Sequence, residues 1–260
     1  MPTPAKQDAM IAVHHVIPED VRDPELIKRL QSWLDDQELS RWRRFVRPQD
    51  QHRFLVSHAL MRAVLGQALG CHPKRLQFTT TGRDKPVVLA PAAGAPIHFN
   101  LSHTEGLTAM AVSWAPVGID TEWLKRQVAG QDLAKRYFTA SELADIATDP
   151  VPDGHHRFLS YWTLKEAFLK AEGWGIVDRL DGFEFELSPK DQWPPQHIEL
   201  RVHNTPSTPT RQWRFYQWQV TPDHVLSLAA CAQQAQHTTV NLAAWGYHDW
   251  ALAADGDPVG

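Results

Sequence analysis

The stretch His156-Arg157-Phe158-Leu159-Ser160-Tyr161-Trp162-Thr163-Leu164-Lys165-Glu166-Ala167-Phe168-Leu169-Lys170 reads as a helix, and its outline occurs earlier in the chain. Aligned without gaps, His52-Arg53-Phe54-Leu55 matches His156-Arg157-Phe158-Leu159, and Leu60, Ala63 and Leu65 then fall on Leu164, Ala167 and Leu169. In the earlier copy Phe54, Met61, Leu65 and Leu69 keep a core-facing stripe after Pro48, a residue suited to a first helical turn, and Gly70 stops the helix. Gly173 and Gly175 end the later copy. A basic and aromatic stretch precedes each copy, Arg41 to Phe45 in one and Lys135 to Phe138 in the other, and strand-like runs follow both. Such an echo is either a duplicated structural unit or, since only a helix-sized window matches, the chance likeness of two amphipathic helices. The fold expected is α+β, built of two similar, pseudo-twofold-related halves at 1–117 and 118–246, with a ligand cleft between them and a small, acidic, loosely held tail at 247–260.

Within the later helix, residues four apart share a face, so Trp162, Glu166 and Lys170 form one stripe with Lys165 beside it. The plain account of Glu166 and Lys170 is an exposed ion pair worth about 0.2–0.5 kcal/mol. The alternative is one wall of a reactive site. In the earlier copy Arg62 stands in the place of Glu166, so any chemistry would belong to one half alone.

The strand-like run Val117-Gly118-Ile119-Asp120-Thr121-Glu122 lies at the seam between the copies. On an extended backbone the carboxylates of Asp120 and Glu122 project from the same face and repel unless a cation lies between them. They could be solvated at a strand end, or hold Mg²⁺, which takes one or two carboxylates together with phosphate oxygens and water.

Other segments supply scaffold and charge. Met10 to Ile17 reads as a first strand, and Leu26, Leu30, Trp33 and Leu34 as one helix face. Arg41, Arg43, Arg44, Arg47 and Arg53 make either a solvated helix face or a phosphate-binding wall. Leu76 to Thr81 and Val87 to Ala90 read as strands about the turn Gly82-Arg83-Asp84-Lys85-Pro86. Ile97 to His103 alternates and ends in a polar tip, Ser102-His103, able to meet a ligand. Leu107 to Trp114 is a further strand, Thr139 and Glu142 form a capping box, and Phe183 to Leu187, His197 to His203, Gln212 to Val220 and Val225 to Ala232 complete the strands.

With 260 residues and 43% hydrophobic content the chain can bury a sizeable core. A net charge of -4 and a pI near 6.4 give no general attraction to nucleic acid or an anionic membrane. Cys71 and Cys231 make neither a disulfide framework nor a metal motif, and Met1 to Asp20 lacks the uncharged core of a signal peptide or membrane span, so a cytoplasmic protein is expected.

The phrases Phe99-Asn100-Leu101-Ser102-His103, Val117-Gly118-Ile119-Asp120-Thr121-Glu122 and Trp162-Thr163-Leu164-Lys165-Glu166-Ala167-Phe168-Leu169-Lys170, in that order, resemble the three signature motifs of the 4′-phosphopantetheinyl transferases. Gly173-Trp174-Gly175-Ile176 fits the continuation. The resemblance is to the longer, surfactin-synthetase-activating type and covers about Trp33 to Ala232. It implies a monomeric holo-acyl-carrier-protein synthase that moves the phosphopantetheine arm of coenzyme A to a serine of an acyl, peptidyl or aryl carrier protein, releasing adenosine 3′,5′-bisphosphate. By the same resemblance Asp120, Glu122 and Glu166 hold Mg²⁺, and Lys170 and Lys165 lie along the phosphates. Arg53, Ser102 and His103, helped by Arg41, grip the nucleotide end, and Lys85 and Pro86 line the adenine pocket. The proton of the carrier serine passes to Glu166 or to a metal-bound water. Glu38 departs from the lysine some relatives carry near the 3′-phosphate, which weakens that grip. Lys125-Arg126 and Lys135-Arg136-Tyr137-Phe138 are candidates to meet an acidic carrier. A coenzyme A-binding or carrier-binding module without chemistry, and a Mg²⁺-dependent hydrolase of a nucleotide pyrophosphate, are the competing readings.

Overall fold

A computed structural model describes residues 9–80, 86–91, 96–126, 135–151, 155–174, 180, 182–189, 192–203, 211–232 and 238–254. The chain forms two compact units, Met1–Trp114 together with Thr239–Gly260, and Ala115–Thr238.

The first unit runs β1 (Ala9–Val16), α1 (Pro24–Trp33), α2 (Asp36–Arg43), α3 (Pro48–Leu69), β2 (Gln77–Thr80), β3 (Pro86–Ala90), β4 (His98–Thr104) and β5 (Leu107–Ser113). The second runs β6 (Val117–Trp123), α4 (Ala140–Ile146), α5 (His155–Glu172), β7 (Phe183–Ser188), β8 (His197–Val202), β9 (Gln212–Thr221) and β10 (His224–Ala232). The chain ends with β11 (Thr238–Ala244) and α6 (Tyr247–Ala254). The helix signals act where expected. Pro48 opens α3, Gly70 closes it in the left-handed conformation at φ 62°, and the reciprocal Thr139–Glu142 box caps α4.

The duplication extends to topology. In each unit a strand leads to helices, a hairpin follows the long helix, and the last strand inserts between the first and its predecessor, giving β1-β5-β4 and β6-β10-β9. Both sheets are antiparallel along these pairings. The gapless alignment of the two long helices also pairs Asp35 with Thr139 and Glu38 with Glu142, which are the capping-box partners of α2 and α4. Each capping glutamate receives a buried cation from its long helix: Arg62 Nη2 lies 2.7 Å from Glu38 and Lys165 Nζ lies 2.8 Å from Glu142.

Both long helices are buried on nearly every side, polar residues included, as suits helices enclosed by their unit. The first core gathers Leu30, Trp33, Leu55, Leu60 and Val64 with Phe99 and Met110, and the second gathers Leu159, Leu164, Phe168, Phe183, Phe185 and Val225. Ser57 on α3 meets Thr108 on β5 at 2.7 Å.

The expectation of a loosely held tail is corrected for 247–254, and residues 239–246 group with the first unit rather than the second. β11 extends the first sheet beside β1, and Trp245 N–H donates to the His15 carbonyl at 2.7 Å. Trp250 is buried against Trp33 and Trp245, with ring centroids 6.3 and 5.6 Å away. Two indoles supply enough apolar area to outweigh the small and acidic residues around them.

Candidate active site

The site of the second unit begins with a glycine. An added Cβ at Gly118 would stand 2.1 Å from the Ala167 carbonyl oxygen and 2.5 Å from the Ala171 amide nitrogen. Bare backbone on β6 and two alanines one turn apart on α5 therefore let the helix lie directly on the strand. Because strand residues alternate, Asp120 and Glu122 face the same helix as Gly118. The register is held by a buried polar network behind them: Ser227, opposite Asp120 on β10, meets Thr163 at 2.7 Å, and Gln217 donates to Ser227 at 2.8 Å and to the Ser160 carbonyl at 3.2 Å.

This packing brings Lys170 onto Asp120. Lys170 Nζ donates to Asp120 Oδ1 at 2.6 Å and to the Ile119 carbonyl at 3.3 Å, so its partner is the strand carboxylate and not a helical ion pair with Glu166. Glu122 Oε1 accepts from Arg126 Nη1 at 2.5 Å. Asp120, Glu122 and Glu166 are all buried. Glu166 Oε1 has no hydrogen-bond partner among the described residues. Burial, then the negative charge of Asp120 and to a lesser degree Glu122, outweigh the Lys170 ammonium and push the Glu166 carboxyl up to about 7. Burial also raises Glu122, with Asp120 adding to it against the opposition of Arg126.

Hard oxygen donors suit a hard divalent ion. Two of the three carboxylates already take a side-chain cation, and the third leaves a buried oxygen unpartnered. No three His, Cys, Asp or Glu side chains among the described residues converge into a finished metal cage. What fits a divalent cation is the chemistry of the donor set, three buried carboxylates of which Glu166 has an unpartnered oxygen, with an ammonium and a guanidinium lying where positive charge is accepted.

Lys165, expected along the phosphates, turns elsewhere. Its side chain is 1% exposed, and besides Glu142 it donates to the carbonyls of Leu180 at 2.7 Å, Phe183 at 3.1 Å and Tyr137 at 3.2 Å. An ammonium with that many acceptors inside the unit does not reach a ligand, and the expectation is corrected. Trp162 is half-buried, edge-on to Tyr137 at 5.7 Å and stacked on Phe158 at 6.2 Å, consistent with a packing role.

The first unit carries a cavity of about 1490 Å³ whose lining includes Arg41, Arg53, Pro86 and His103 with Arg44 and Phe54. Arg53 Nε donates to Glu19 at 3.0 Å, and the Arg41 guanidinium stands over the Phe54 ring at 5.5 Å. His103 is exposed at the tip of β4, whereas Ser102, on the alternate face, is buried and does not line the cavity. Lys85 lies outside the described residues. Glu38 is drawn inward by His58 at 2.8 Å and by Arg62 at 2.7 Å, and these partners hold its carboxyl below the usual range despite burial. The glutamate thus caps α2 and anchors Arg62, and its charge is neutralised before it meets a ligand.

Sequence reading did not single out the close approach at Gly118, the Arg126–Glu122 pair or the Ser160–Thr163–Gln217–Ser227 network. The spacing of Ala167 and Ala171 against a strand glycine was the available signal for the first. The Arg126–Glu122 pair is local, four residues apart through the turn after β6, whereas the polar network depends on α5 meeting two strands far along the chain.

Comparison with known proteins divides the chain where the structure does. The model of the 4′-phosphopantetheinyl transferase superfamily matches residues 116–231, and that of the 4′-phosphopantetheinyl transferase N-terminal region matches 23–115. The 4′-phosphopantetheinyl transferase HetI of Nostoc sp. is 35% identical over 176 residues, covering 67% of this chain and 73% of HetI. The chain belongs to the 4′-phosphopantetheinyl transferase superfamily. Two further members extend the comparison. The transferase Sfp of Bacillus subtilis is 30% identical over 180 residues, covering 69% of this chain and 76% of Sfp. A phosphopantetheinyl transferase of Thraustochytrium sp. is 29% identical over 229 residues, covering 84% of this chain and 77% of its own. The superfamily match over 116–231 contains Gly118, Asp120, Glu122, Glu166 and Lys170 together. No described helix is long and apolar enough to cross a membrane.

Proposed function

We propose that this superfamily member transfers the 4′-phosphopantetheine moiety of coenzyme A to a serine of an apo carrier protein, releasing adenosine 3′,5′-bisphosphate. The observation that carries the reading is the buried carboxylate group of β6 and α5, Asp120, Glu122 and Glu166, with Lys170 set against Asp120 at 2.6 Å. Asp120, Glu122 and Glu166 would hold Mg²⁺. When bound, that ion neutralises charge on the pyrophosphate oxygens.

The remaining work falls to side chains. Phosphoryl transfer demands positioning and charge neutralisation, and Lys170, which donates to Asp120 and to the Ile119 carbonyl, would meet the charge growing on the leaving phosphate. Glu166, whose buried Oε1 has no hydrogen-bond partner among the described residues, would accept the proton of the carrier serine as its oxygen attacks the β-phosphorus. In the first unit Arg53 and His103, with Arg41 near, would bind the 3′-phosphate, and Pro86 would border the adenine. The exposed Lys135 and Arg136 beside Tyr137 offer positive charge to an acidic acyl, peptidyl or aryl carrier. On this reading the enzyme acts as a cytoplasmic monomer.

The test is direct. Incubated with coenzyme A, Mg²⁺ and a panel of apo carriers, the purified protein should add one phosphopantetheine mass to at least one carrier. Release of nucleotide without a carrier would instead indicate a hydrolase, and no mass change across a broad panel would refute the transfer reading.

A further inference from the structure

Arg126 does something that the transfer reaction does not require. Its backbone is fixed by a turn, Arg126 N–H to the Trp123 carbonyl at 3.0 Å, so the side chain folds back four residues onto Glu122. The pair is lopsided: the arginine side chain is 54% exposed and the glutamate 9%. Glu122 therefore pays desolvation inside the unit while its counter-ion stands mostly in water. The neighbouring cations are differently placed. Lys170 is 30% exposed and is also tied to the Ile119 carbonyl, and Lys125 turns away to Asp223 at 2.6 Å. Of the two cations on the acidic group, Arg126 leaves at the smaller cost, since water rehydrates its guanidinium at once and no second described hydrogen bond restrains it.

We infer that Arg126 is an exchangeable counter-ion for Glu122, a latch that neutralises this carboxylate in the ion-free enzyme and must swing out when a divalent cation binds. The inference rests on the metal reading given above and adds to it a competitor within the chain. Ion binding then includes the cost of breaking the Arg126–Glu122 pair, so the latch lowers metal affinity and keeps the buried acids from facing one another uncompensated. It also predicts that the ion and the guanidinium exclude each other on Glu122.

The probe is Mn²⁺, followed by electron paramagnetic resonance of the unbound ion, with the full-length protein at constant ionic strength and no coenzyme A. Arg126→Met should bind Mn²⁺ roughly five- to tenfold more tightly than the wild type, and Arg126→Lys should fall between them because a single ammonium pairs less well than a fork. Equal or weaker binding by Arg126→Met would overturn the latch and make Arg126 an ordinary support for Glu122. If neither the wild type nor Arg126→Met binds Mn²⁺, the metal reading itself fails and the latch with it. Binding by both with the same affinity refutes the latch alone.

Discussion

Lys165 and Glu142 form an ion pair of 2.8 Å whose side chains are 1% and 0% exposed, one residue along α5 from Glu166. Adjacent positions of one helix thus serve opposite purposes. Glu166 faces β6, and Lys165 faces the capping box of α4 and the carbonyls of Tyr137, Leu180 and Phe183. Arg62 repeats this arrangement in the first unit, bridging Asp35 and Glu38 of the α2 capping box while donating to the carbonyls of Pro73 and Leu76.

Removing one member of such a pair leaves the other charge buried. Lys165→Met should lower stability by about 3–5 kcal/mol, seen in denaturant titration. Lys170→Met removes a cation that is 30% exposed from an Asp120 side chain that is 9% exposed, so it should destabilise less than Lys165→Met while reducing turnover about a hundredfold. Equal stability losses in the two variants would contradict the assignment of Lys165 to the interior.

Gly118 has no room for a side chain. Gly118→Val should separate β6 from α5 or prevent their packing, lowering the thermal midpoint sharply and abolishing activity, because an added Cβ would stand 2.1 Å from the Ala167 carbonyl. The clash is with backbone, which cannot rotate away as a side chain can. A stable and active valine variant would show that the close approach is dispensable.

The raised Glu166 carboxyl makes stability depend on pH. Its folded value of about 7 lies above the ordinary 4.5, so between these values the native state keeps a proton that the unfolded chain has released. The unfolded chain binds fewer protons there, and stability must fall as pH rises through the window. In chelator-treated protein the thermal midpoint should therefore decline from about pH 4.5 to about pH 7 more steeply in the wild type than in Glu166→Gln. Parallel profiles would place the titration elsewhere. The same variant should lose carrier modification while remaining folded.

Arg53 is read as a ligand of the 3′-phosphate. Arg53→Ala should raise KM for coenzyme A about tenfold, or about 1.4 kcal/mol, and should change KM for 3′-dephospho-coenzyme A far less. Since Arg53 also pairs with Glu19 at 3.0 Å, a thermal melt must show that the variant is intact. Equal effects on both substrates would assign Arg53 to scaffold.

Local signals carried much of the fold. The echo of His52-Arg53-Phe54-Leu55 in His156-Arg157-Phe158-Leu159 led to paired α+β units, and Pro48, Gly70 and the Thr139–Glu142 box marked helix ends, because caps and periodicity act within a few residues. The β6 acids were legible for the same reason, since strand alternation alone puts Asp120 and Glu122 on one face. What spacing could not decide was which neighbour each side chain meets. α5 is buried on nearly every side, so its apolar pattern does not distinguish the face toward β6 from the face toward α4. Packing sent Lys165 inward, moved Lys170 from Glu166 to Asp120, neutralised Glu38 and drew Trp250 into the first core. Each of these outcomes depends on a partner far along the chain and on the cost of leaving a buried charge or ring without one, and that cost exists only once the chain has folded.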